Sequence, residues 1–228
     1  MNSYTLNRRE ALKLCFAGLA TITVAPVLNA QQRQIVERKG PAPLDLKLVS
    51  SFVGACHRDI DGVKSILKQE PGLVNASFNR GASDWESGME AAAHMGRTDI
   101  ADVLIENKAR KCIFWAAMAG EEAIVKAFVL ADPNTVNTGG AHNISLMAHA
   151  AICGKVSLTS FLKDQGARVN NKSLEHAVRG NRKDMVEWLV DNGADPKSED
   201  IFGNFHYDTA EKKGYLEIAK FLRSRVGV

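Results

Sequence analysis

The chain has 228 residues, 45% of them apolar and 24% charged, which is enough to bury the core of a single domain. The net charge of +3 is uneven. Arg8, Arg9 and Lys13 against Glu10 place most of it in the first thirty residues, so no basic stripe remains to argue for nucleic acid.

Arg8-Arg9 precedes the apolar stretch LCFAGLATITVAPVL at 14–28, which ends at Asn29-Ala30. A positive start, a short apolar segment and a small residue at the exit make a secretory signal, too short to span a bilayer comfortably. NRREALK at 7–13 resembles the twin-arginine export motif, with Asn7 for its serine and Ala11 for its phenylalanine. Cleavage after Ala30 is expected, with no membrane insertion of the mature chain. The location implied is the periplasm or cell envelope. Cys15 makes no lipidation site, because Lys13 puts a charge where small or apolar residues are wanted. The stretch 31–43, punctuated by Gly40, Pro41 and Pro43, reads as a flexible linker.

Cys56, Cys112 and Cys153 are odd in number and widely spaced, so they form neither a disulfide framework nor a zinc pattern. The six histidines are dispersed along the chain, and no catalytic motif or phosphate loop is present. Asp99, Asp184 and Glu217 sit where helix starts favour acids. No catalytic residue, metal or cofactor is expected on this reading.

From Leu44 a single grammar recurs: an amphipathic run, a turn residue, then a second amphipathic run. The turn residues are Arg58, Gly96, Gly120, Gly154, Asn181 and Gly214, separated by 38, 24, 34, 27 and 33 residues. A left-handed turn favours Gly and tolerates Asn, which leaves Arg58 as the departure. Ala92-Ala93, Ala116-Ala117 and Ala150-Ala151 let first helices approach closely. Ile100, Val103, Leu104, Val186, Leu189, Ile218, Phe221 and Leu222 follow helical spacing toward a core, as do Trp115 and Trp188.

DIADVLIENKA at 99–109, DMVEWLVDNGADP at 184–196 and LEIAKFLRS at 216–224 resemble the second helix of ankyrin repeats, over about 45–226 in all. Ser87, Lys111, Ser145, Lys172 and Phe205 fall at the family's threonine position. The resemblance implies an all-α ankyrin-repeat solenoid of about six helix-turn-helix units at 44–228. Short β-hairpin fingers are expected at 77–87, 137–145 and 197–205, with tight links elsewhere.

It also implies a function: docking of another, folded protein, without catalysis, by a chain that is monomeric when unbound. The residues just before each turn face the concave groove in this family. Here they supply His94, Met95, Met118, Ile152, Cys153 and Arg179 as partner-binding candidates, with Trp85, His142, Asn143, Ile201 and Phe202 on the fingers. One alternative is an immunity or inhibitor protein for an exported toxin or enzyme. Another is a soft-metal protein or enzyme, in which Cys56, His57, His94, Met95 and Met118 would suit copper(I).

Overall fold

Side-chain caps start half of the described helices, and small residues let them pack closely. The computed structural model describes residues 40 and 42–227, so the expected export signal and almost all of the expected linker lie outside the described residues. Six helix pairs follow one another: α1 (Leu46–Ala55) with α2 (Ile60–Gln69), α3 (Gly88–Met95) with α4 (Thr98–Glu106), and α5 (Ile113–Ala119) with α6 (Glu122–Ala131). Then come α7 (Leu146–Cys153) with α8 (Val156–Asp164), α9 (Asn171–Arg179) with α10 (Lys183–Asp191), and α11 (His206–Lys212) with α12 (Leu216–Val226). The described residues thus form an all-α solenoid of helix pairs, consistent with the ankyrin-repeat architecture expected.

The turns follow the backbone rule. Gly96, Gly120, Gly154 and Gly214 have φ between 69° and 80°, and Asn181 has φ 54°. The first turn is built differently. Arg58 donates its backbone N–H to Ala55 O at 3.0 Å, and the segment turns without a left-handed residue.

The threonine position holds for Ser87 and Ser145, whose hydroxyls accept from the backbone N–H of Glu90 and Ala148 at 3.2 Å each. At the Lys111 and Lys172 positions a neighbour takes over. Cys112 Sγ accepts from Trp115 N at 3.4 Å, and Asn170 Oδ1 accepts from Ser173 N at 2.9 Å. Lysine has no acceptor to offer, so a side chain one or two residues away supplies the cap. Phe205 caps α11 with no side-chain bond.

Between pairs, the buried residues are those that helical spacing picks out: Ile100, Val103, Leu104, Val186, Leu189, Ile218 and Leu222, with Trp115. Phe221 and Trp188 are only half-buried. The buried side chains form two clusters, one running from α1 to α8 and one from Ala151 to Leu222. Val169 and Trp188 touch both.

The first finger is a hairpin of β1 (Ser77–Asn79) and β2 (Trp85–Ser87), with Phe78 opposite Glu86. The second and third fingers reduce to single bridges, Gly139 with Ser145 and Glu199 with Phe205. The tight links are clamped from behind. Asn75 Oδ1 accepts from Arg110 N at 2.8 Å, and Asn137 Oδ1 accepts from Arg168 N at 3.2 Å. Both asparagines end a short 3-10 turn that begins with proline, Pro71–Asn75 and Pro133–Asn137. The long–short alternation of the spacing is therefore a two-unit repeat. Among the described residues, no helix is long and apolar enough to cross a membrane.

Candidate functional site

The fingers present side chains by strand alternation and by turn chemistry. In β2 successive side chains point to opposite faces, so Trp85 stands 58% exposed while Glu86, the next residue, is fully buried. In the third finger the Asp200 carboxylate accepts from Phe202 N at 2.9 Å, Asn204 N at 3.0 Å and Thr209 Oγ1 at 2.9 Å. Burial works against that charge, yet these donors hold the Asp200 pKa down to about 2. The turn they fix leaves Ile201 67% and Phe202 81% exposed. Beside them lies a groove of about 440 Å³, lined among others by Met95, Arg179, His206, Lys212 and Lys213.

The concave stripe is less open than the resemblance implies. His94 and Met118 are buried and line no groove. Met95, Ile152, Cys153 and Arg179 are half-buried. Arg179 Nη2 lies 3.7 Å from Met95 Sδ, and a methyl group on Gly96 would meet Ile152 Cγ2 at 2.9 Å. The short second link and the buried alanine pairs bring α3 within reach of α7, so the first helices crowd one another. Asn143 is exposed at the tip of the second finger.

In the soft-metal grouping, Cys56 is not among the ligand atoms that gather around His57 and His94. Cys56 is buried, its thiol pushed up to about 12 by burial and then by the Glu86 charge, which disfavours the thiolate a metal needs. Burial also raises the thiol pKa of Cys153, whose Sγ donates to Ala150 O at 3.1 Å.

The histidines, dispersed in sequence, are not dispersed in space. His57, His94 and His142 converge on Glu86. Their rings meet edge to face, with centroids 5.0 Å apart for His57–His94 and 5.2 Å for His94–His142. Three ring nitrogens face one carboxylate oxygen, Glu86 Oε1: His57 Nε2 at 3.0 Å, His142 Nε2 at 3.2 Å and His94 Nδ1 at 3.7 Å. The other oxygen, Oε2, accepts from Arg80 Nε. Burial pushes the Glu86 pKa up, but the bonds from His57 and Arg80 outweigh it and hold it down to about 2.

The outer nitrogens are also placed. His57 Nδ1 lies 3.0 Å from Val53 O, and His142 Nδ1 lies 2.8 Å from Asp84 Oδ2. Asp84 also accepts from the His142 backbone N–H at 2.8 Å, and His142 itself sits at φ 58°. His94 is 5% exposed, its Nδ1 has no hydrogen-bond partner, and burial pushes its pKa down to about 3. Glu86 escapes a reading of the sequence because two of its partners, His57 and His142, lie in other repeat units. The available signal was a carboxylate on the inward register of a finger strand.

Residues 113–200 match the family model described as Ankyrin repeats (3 copies). Ankyrin repeats are thus present in this chain. The matched stretch runs from α5 into the third finger, and helix pairs of the same kind flank it on both sides. No curated protein matches the chain. Ankyrin repeats support a protein–protein interaction module.

Proposed function

We infer that this chain is exported and docks a folded protein against its third finger and the adjoining groove. The observation that carries this reading is the pair Ile201 and Phe202, two large apolar side chains held in solvent by a turn that the Asp200 carboxylate fixes. An exposed aromatic held rigidly loses little entropy on binding, which is how interface anchors act. Arg179, Lys212 and Lys213 outnumber Glu175 and Asp200 around the same groove, so an acidic rim on the partner fits it. Trp85 and Asn143 offer a second contact on the first two fingers.

The test is affinity capture from envelope extract with the chain lacking residues 1–30, beside an Ile201→Ser/Phe202→Ser variant with an unchanged circular-dichroism spectrum. The reading expects one protein held by the parent chain and lost by the variant, with retention falling as salt rises. Equal recovery by both would remove the third finger from the interface. N-terminal sequencing of the envelope-purified chain tests export separately: a start at Gln31 supports it, and an intact Met1 opposes it.

A further inference from the structure

We propose that His57, Glu86, His94 and His142 form a binding site for one divalent transition-metal ion, with zinc(II) the best fit, and that the ion ties the first two fingers to the first two helix pairs. The ligand atoms are His57 Nε2, Glu86 Oε1, His94 Nδ1 and His142 Nε2, all within 4.8 Å of one another. Four ligands about 2.0 Å from a tetrahedral ion stand about 3.3 Å apart. The separations of 3.0, 3.2 and 3.7 Å from Glu86 Oε1 bracket that edge length. Three imidazoles and one carboxylate form a borderline donor set that suits zinc and its neighbours better than calcium or magnesium.

The surroundings orient each ligand. Val53 O and the Asp84 carboxylate take the outer ring N–H of His57 and His142, which leaves each Nε2 lone pair aimed inward. Arg80 occupies Glu86 Oε2, so the carboxylate offers a single oxygen. Without an ion, the ring nitrogens of His57 and His142 face acceptors on both sides, more acceptors than a neutral imidazole has N–H groups to meet. His94 Nδ1, buried and without a hydrogen-bond partner, then faces only that crowded oxygen. An ion satisfies all four atoms at once. The left-handed backbone at His142 points the same way, since strain of this kind persists where the surroundings hold a side chain in a required place.

The four ligands come from the end of α1, from β2, from α3 and from the tip of the second finger. A bound ion would therefore fix the finger that carries Trp85. His142 lies at the exposed edge of the cluster, beside an open hollow shared with Asp84 and Trp85, through which an ion can reach the site.

The experiment uses the full chain without a histidine tag, stripped by chelator and titrated with zinc(II), then with cobalt(II) as a visible probe. The variants are Glu86→Gln, His142→Ala and, as an exposed position far from the site, Lys220→Ala. The expected results are one zinc per chain, a higher melting temperature with zinc, and cobalt absorption bands of tetrahedral strength. Lys220→Ala should behave as the parent. Both ligand variants should bind at least about tenfold more weakly. His142→Ala removes an exposed finger side chain, so its circular dichroism before metal addition shows whether the fold is intact. Two results overturn the proposal: zinc held below a tenth of an equivalent with no shift in melting, or stoichiometric zinc unaffected by either ligand variant.

Discussion

Gly154 and Gly214 occupy the same place in their units and have nearly the same backbone, φ 80° and φ 76°, but their surroundings differ. A methyl group on Gly214 meets nothing within 4 Å, whereas on Gly154 it would meet Arg182 Cδ at 2.7 Å. Arg182 Nε donates to Ile152 O at 3.1 Å, tying the fifth unit to the fourth. Gly214→Ala should therefore cost only left-handed strain, about 1 kcal/mol. Gly154→Ala should cost that plus a displaced Arg182, about 2 kcal/mol together. Urea unfolding of the two variants measures the difference, and equal midpoints would show that Arg182 moves aside freely.

The turn residues were legible in the sequence because their requirement is local: a left-handed φ selects Gly or Asn whatever packs around it. Arg58 was legible as an exception for the same reason. His94 and Met118 were misplaced because their exposure depends on the crowding of α3, α5 and α7, which no single unit encodes. Glu86 was invisible because its partners at 57, 94 and 142 share no local spacing. Their convergence is a product of stacking.

At the scale of elements, the third finger is held by one carboxylate, and its stability should follow that group's titration. Asp200 is depressed to about 2 in the folded chain, from 3.8. A depressed carboxylate stabilises the fold above its unfolded pKa, and that stability is lost as pH falls through the folded value. The melting difference between the parent chain and Asp200→Asn should thus be constant above pH 5 and close between about pH 4 and pH 2. Because every other acid titrates in both proteins, the difference isolates Asp200. A gap that persists at pH 2 would mean that neutral Asp200 holds the turn equally well. The same element was only partly legible: spacing located all three fingers, but whether each formed a ladder or a single bridge depended on side chains. Ser77, Phe78 and Asn79 have the partners for a ladder, while Gly139-Gly140 and Gly203 favour an irregular turn.

For the whole molecule, each helix pair is supported by its neighbours, so position along the stack should decide how damage spreads. Leu104 and Leu222 are both fully buried second-helix leucines. Truncation of either to alanine removes about the same transfer energy and leaves a cavity, costing about 2–5 kcal/mol. Leu104 lies in α4, with pairs on both sides, while Leu222 lies in α12 at the end of the described stack. The polar ties of that last pair, Arg223 to Asp208 at 2.9 Å and Arg225 to Asp191 at 2.7 Å, are exposed pairs of the kind that contribute little. In a stack governed by nearest neighbours, a weakened end frays by itself, whereas a weakened interior pair destabilises everything resting on it. Hydrogen exchange should therefore show Leu222→Ala accelerating amides in α11 and α12 while α3 to α8 keep the parent's protection. Leu104→Ala should accelerate exchange from α1 through α8 together. Uniform acceleration in both variants would mean that the two buried clusters unfold as a single cooperative unit, joined through Val169 and Trp188.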